Sequence, residues 1–228
     1  MTRERGRPRT FDIDLALDRA VEVFWKHGFQ DASMHELTAA MGLSKPSLYA
    51  AFGDKEALYL KTLERYGGLL IERHAAALNG EADGRTAVAA FLRSIASMLA
   101  DPALPGGCFI INGTADCGGS TIPAAVELAL RTALQGTEST LLERVRRAQR
   151  DGDLPAESAP EALAALFSSL IAGLAVLAKS GAPEAKLHTV IDTAMLVWPA
   201  PARQRRKLGP KAAASPAPAG FYGEKSQT

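Results

Sequence analysis

The chain has 228 residues, of which 47% are hydrophobic but only 6% aromatic, with 26 basic and 25 acidic side chains and two cysteines. That length holds one large domain or a small one beside a larger one, and an apolar set dominated by alanine and leucine favours helices over strands. Two cysteines exclude a disulfide framework, no apolar run is expected to reach the ~18 residues of a membrane span, and a net charge of +1 leaves nucleic acid to be judged from local charge.

The first twelve residues, MTRERGRPRTFD, are polar and hold no apolar signal core, so a cytoplasmic protein without a membrane partner is expected. Arg3, Arg5, Arg7 and Arg9 alternate here. Residues 1–10 read as a disordered basic arm in which Arg7 and Arg9 suit a phosphate backbone or a minor groove, although a solvated tail fits the same residues. Asp12 is placed to cap a first helix. Ile13, Leu17, Ala20, Val21 and Phe24 follow at three-to-four spacing, and Gly28 ends the run.

The stretch Ser33–Phe52 organises the chain. Ser33 with Glu36 forms a capping-box pattern, and Met34, Leu37 and Met41 share one face. Gly42 provides a left-handed helix end. Ser44 caps a second helix with Pro46 in its first turn. Leu48 and Phe52 then point inward, while Lys45, Ser47 and Tyr49 point outward. This is a helix–turn–helix pattern, and its second helix offers an ammonium, hydroxyls and a phenol to phosphates and base edges. From spacing alone, an ordinary helical hairpin in an all-α domain fits as well.

The run GFQDASMHELTAAMGLSKPSLYAAFGDKEALYLKTLERY resembles the DNA-binding region of the TetR/AcrR family of transcriptional regulators. The likeness rests on Gly28-Phe29, the Ser33 cap, the turn Gly42-Leu43-Ser44, Lys45, Leu48-Tyr49, Phe52, and Lys55-Glu56 opening the next helix. It implies an all-α protein with a three-helix helix–turn–helix domain at 11–56 and a larger helical effector-binding and dimerisation domain at 57–199; the Pro-, Ala- and Lys-rich composition of 200–228 predicts a disordered tail. The likeness implies DNA contacts from Ser44, Lys45, Ser47 and Tyr49, approach to the backbone by Ser33 and His35, and a phosphate contact by Lys55. The connecting helix, opened by Asp54 and running to about Leu78, is the part that shifts in this family when an effector binds.

Beyond it the pattern predicts an amphipathic helix over Ala87–Ala100, a short apolar segment GCFIINGTADCGG, and a long helix from Pro123 to about Asp151. Two apolar helices follow, at Ala159–Lys179 and Glu184–Trp198. In the short segment a buried strand on Phe109-Ile110-Ile111 is open, though the helical surroundings favour a short helix. The last two helices carry more apolar surface than one subunit needs. Leu163, Leu170, Leu174, Val190 and Met195 are therefore expected to face a second copy in a four-helix bundle. The resemblance also implies a pocket for a small-molecule effector, with Phe91, Ile95, Phe109, Asn112 and Phe167 as candidate walls, each equally suited to core packing.

Cys108 and Cys117 leave open a thiol-based metal or redox sensor of the same fold, or a helical thiol-dependent enzyme if His74 or His188 approaches Cys108. No nucleophile motif supports catalysis, and no cofactor or metal is called for. The expectation is a homodimeric, sequence-specific DNA-binding regulator, not an enzyme. It would be a repressor released from a palindromic operator by an effector of unknown identity.

Overall fold

The computed structural model describes residues 11–80, 83–119 and 122–199. The expected arm with Arg7 and Arg9, and the expected tail at 200–228, lie outside the described residues. Among the described residues there is no strand. The helices are α1 (Ile13–Asp31), α2 (Met34–Met41), α3 (Lys45–Phe52), α4 (Lys55–Asn79), α5 (Gly84–Leu99), α6 (Phe109–Thr114), α7 (Ala124–Arg150), α8 (Pro160–Lys179) and α9 (Glu184–Ala194), followed by a 3-10 turn at Met195–Val197.

Caps set the boundaries of the first three helices. The Asp12 carboxylate accepts from the backbone N–H groups of Asp14 and Leu15. Gly28, at φ 74°, breaks α1 before its last turn. Ser33 and Glu36 close a reciprocal capping box, with Ser33 N donating to Glu36 Oε2 at 2.9 Å and Glu36 N donating to Ser33 Oγ at 3.1 Å. Gly42 ends α2 in the left-handed region at φ 66°, where a side chain would be strained. Ser44 then caps α3 through Ser47 N. Leu37 and Leu48 are fully buried against Ala20, Phe24 and Phe52, and each such burial contributes about 1.5–3 kcal/mol.

Helix α4 joins this head to the body. Arg65 on α4 grips Asp18 on α1 with both nitrogens, Nε to Oδ1 at 2.7 Å and Nη2 to Oδ2 at 3.0 Å. Helix α5 begins three residues before the expected Ala87. Asp83 caps it through Thr86 N, and Gly84 is a close-packing glycine here: a Cβ at Gly84 would collide with Ala148 of α7. The apolar segment at Phe109 is the short helix α6, so the strand alternative falls.

One expectation about apolar runs is overturned. Pro160–Lys179 is long and apolar enough, by length and composition, to cross a membrane. In this fold it packs along α7, α5 and α9 instead. Ala164, Phe167, Ile171, Leu174 and Ala175 face the core, while Leu166 and Val176 lie on the opposite side, 43% and 58% exposed. The helix is apolar on its core face and also on the face that carries Leu166 and Val176.

Candidate functional site

The outward face of α3 is a small polar platform. Ser44, Lys45, Ser47 and Ala50 are exposed, and Tyr49 is 43% exposed, while Leu48 and Phe52 are buried. Alternation of anchors and exposed groups at helical spacing is what lets one short helix present side chains without losing its footing. Ser44 Oγ and Ser47 Oγ lie 2.8 Å apart, and the Lys45 ammonium stands 6.0 Å from the centre of the Tyr49 ring. No acidic residue occurs from Leu37 to Gly53, so this face is open to anions.

The flanking residues are placed less simply. Ser33 already donates its hydroxyl to Glu36 and accepts from Glu36 N, so its free bonding capacity is an oxygen lone pair. His35 is exposed in the first turn of α2, where free N–H groups favour anions. Lys55 is half-buried: its Nζ donates to the Gln30 carbonyl at 3.0 Å and sits 4.9 Å above the Phe29 ring. Burial pulls its ammonium below the usual lysine range. Lys55 thus ties α4 to the turn after α1, with two N–H donors left for a phosphate.

A second feature lies in the body. A cavity of about 430 Å³ opens among α4, α5, α6, α7 and α8, bounded by Leu70, His74, Phe91, Ile95, Leu134 and Ile171 among others. Its size falls within the ~300–1,000 Å³ usual for small-molecule sites. Of the five expected walls, Phe91 and Ile95 line it and three do not. Phe167 is fully buried and stacks on Trp198 with ring centroids 6.2 Å apart. Asn112 donates to the Gly106 carbonyl at 3.3 Å.

Phe109, the third, has a different position. Its ring meets Tyr59 at 5.3 Å and Tyr66 at 5.5 Å, both edge-to-face. Tyr59 in turn meets Phe24 at 4.9 Å and Phe29 at 5.3 Å, and Tyr66 meets Trp25 at 5.1 Å. An unbroken aromatic cluster therefore runs from α6 through α4 into α1. Cys108, next to Phe109, lines the cavity and accepts a 3.5 Å hydrogen bond from the Tyr66 hydroxyl. Burial raises both tyrosines' pKa above the usual range.

Cys117 is half-buried, and burial pushes its thiol up. His188 pairs along its own helix with Glu184 at 3.6 Å, whereas His74 lines the same cavity as Cys108. The residues expected at a subunit interface divide. Leu174 and Met195 are buried within their own subunit, and Leu163, Leu170 and Val190 are half-buried. The exposed apolar residues of this region are Leu166, Val176, Leu196 and Val197, none of which the pattern singled out. On α8, Ala162, Leu166, Ser169, Gly173 and Val176 are exposed at alternating spacings of four and three. That seam was legible only as a second stripe interleaved with the core stripe.

Comparison with known proteins gives the same picture. Residues 16–62 match the family described as bacterial regulatory proteins, tetR family, and residues 84–194 match the tetracyclin repressor-like C-terminal domain. The chain is 34% identical over 198 residues to the HTH-type transcriptional repressor ComR of Escherichia coli K12, covering 86% of this chain and 93% of that protein. It is 30% identical to the HTH-type regulator YezE of Bacillus subtilis 168, covering 84% and 98%. A cysteine mutant of the regulator CifR, solved with 26 bp double-strand operator DNA, is 37% identical with a TM-score of 0.77, covering 85% of this chain and all of that one.

Proposed function

The chain belongs to the TetR family of bacterial transcriptional regulators, and from that membership we propose that it is a homodimeric repressor released from a palindromic operator by a small apolar effector. The observation that carries the reading is the α3 platform, where Ser44, Lys45, Ser47 and Tyr49 stand exposed while Leu48 and Phe52 anchor the helix in the core. We assign residues 11–56 as the reading head, with Ser33 and His35 at the backbone and Lys55 at a phosphate, and we assign Arg7 and Arg9 to DNA binding on their charge alone. One such head buries little surface, and two heads held about one helical turn of DNA apart read a palindrome. The exposed seam of α8 supplies the surface that joins them. The work is done at DNA, in the cytoplasm, and no catalytic role is assigned.

Effector action follows as a population shift. The ligand occupies the cavity behind α4, favours one placement of the loop before α6, and through Phe109, Tyr59 and Tyr66 favours one placement of α1 and the head. The test is a fluorescence-anisotropy titration with the DNA upstream of the gene, at two salt concentrations, with a random duplex as control. Tight saturable binding to the first and weak, steeply salt-dependent binding to the second supports the reading. Equal weak binding to both, followed by failure to enrich a site from random oligonucleotides, overturns it.

A second reading has one favouring observation, the Cys108 thiol at the cavity wall. It makes the same protein a thiol sensor. Loss of operator binding on mild peroxide treatment, abolished in Cys108→Ser, supports it; an unchanged response in that variant removes it.

A further inference from the structure

The cavity holds no charged side chain among its described walls, and its polar side chains besides His74 are the exposed Asn79, Ser168 and three that are already engaged. Thr137 Oγ1 donates to the Ala133 carbonyl and Thr140 Oγ1 to the Gly136 carbonyl, each within its own helix. Cys108 is taken by Tyr66. Ser168 adds one hydroxyl. His74 differs from all of these. It is 3% exposed, its Nδ1 lies 2.7 Å from Ser94 Oγ, and its Nε2 is buried with no protein partner. Among the described residues, Ser94 Oγ makes no hydrogen bond but the one to His74, unlike the threonines that bond back to their helix. We assign the Ser94 hydroxyl, which bonds nothing else among those residues, as the donor to Nδ1, and this assignment places the ring proton on Nε2.

We propose that His74 Nε2–H is the polar anchor of the cavity, and that the effector is an uncharged, compact apolar molecule bearing one hydrogen-bond acceptor, such as a carbonyl or ether oxygen, which meets it. This rests on the cavity being the effector site. A buried donor without a partner is costly, and a ligand acceptor removes that cost while the apolar walls take the rest of the molecule. The imidazole is held neutral at pH 7 by burial, with Arg73 acting in the same direction, so it offers a hydrogen bond and not a counter-charge.

The probe pair is acetophenone and α-methylstyrene, which share a shape and differ by one carbonyl oxygen, with benzoate as the anionic control. Binding to the full chain is read by calorimetry, and the carbonyl stretch of bound acetophenone by infrared difference. The wild type should favour acetophenone by roughly three- to tenfold, the worth of one neutral hydrogen bond, and should reject benzoate. His74→Phe, which leaves the carbonyl without a donor, should lose the preference for acetophenone or reverse it towards α-methylstyrene, with no downshift of the carbonyl stretch. His74→Gln, which keeps a donor, should retain part of the preference and guards against a misfolded His74→Phe. Equal binding of both probes to the wild type sinks the anchor while leaving the cavity as a ligand site. A preference that survives in His74→Phe sinks it too. Binding of neither probe overturns the cavity reading together with the anchor, and tight binding of benzoate overturns the uncharged class.

Discussion

Trp25 of α1 donates its indole Nε1–H to the carbonyl of Gly106, 81 residues further on, at 3.1 Å. Gly106 belongs to the turn that leads into α6, and Cys108, two residues later, lines the cavity. One side chain of α1 is therefore bonded to the segment that contributes Cys108 to the cavity wall. Removing this bond while keeping the ring, in Trp25→Phe, should cost about 1 kcal/mol of stability. The operator affinity of the ligand-free protein should change by no more than about threefold, because α3 is untouched, while the loss of affinity caused by an effector should shrink. A melt and paired operator titrations with and without effector check this. A Trp25→Phe protein that responds in full would show that coupling runs by another route.

The reading helix allows a sharper forecast. Lys45 is exposed, bonds nothing in the protein core, and lies at the start of α3 beside Tyr49. Lys45→Glu should leave the melting temperature within about 2 °C, since the Ser44 cap stays in place, an acidic residue suits a helix N-terminus, and exposed substitutions of this kind stay within ~0.5 kcal/mol. Operator affinity should fall by at least about a hundredfold, because an attractive contact becomes a repulsive one on a polyanion. Circular dichroism melts alongside the anisotropy titration test both halves. Unchanged operator affinity would remove α3 as the reading element.

How much of this was visible in the sequence depends on distance along the chain. The α2–turn–α3 unit was legible because its determinants are local: Ser33 with Glu36, Gly42, Ser44 and Pro46 all lie within a turn of what they control. The cavity was not, because its walls come from α4, α5, α6, α7 and α8, and no periodicity tells which core residues leave a gap. Phe109 was read as a wall because it is large and apolar. Only the fold shows that it fills the space between Tyr59 and Tyr66. His74 was weighed only as a neighbour for Cys108, yet its contact with Ser94, twenty residues away, is what gives it meaning.

His74 also sets a pH dependence. Burial holds its folded pKa at about 4, below the ordinary 6.5 of the unfolded chain. Above pH 6.5 both states are neutral and nothing is lost. As pH falls below 6.5 the unfolded chain takes up a proton that the folded one refuses, so stability declines until pH reaches about 4. By pH 4.5 the loss should be about 2–3 kcal/mol. His74→Gln lacks this term. Its urea stability should drop less than the wild type's between pH 7 and 4.5, by about that amount, with the carboxylate contributions common to both. Equal drops would mean that His74 is solvated in the folded protein.

The outer seam of α8 carries the last prediction. Val176 is 58% exposed, and Leu196, in the turn after α9, is 76% exposed. Val176 sits on a heptad-like stripe of α8 with Leu166 and the small residues Ala162, Ser169 and Gly173, a pattern suited to close helix packing against a second copy, and Leu196 adds an exposed apolar side chain from the turn after α9. Because they contribute little to the core of their own subunit, Val176→Glu with Leu196→Glu should leave the helical content and fold unchanged. The pair should place like charges where two seams meet, shift the protein to monomer in sedimentation at micromolar concentration, and weaken operator binding by at least tenfold through loss of the second head. Leu174→Glu is the contrasting control. Leu174 is fully buried in its own subunit, so that change should unfold the C-terminal helices instead of separating two intact subunits. A double variant that remains dimeric and binds operator normally would move the interface off α8 altogether.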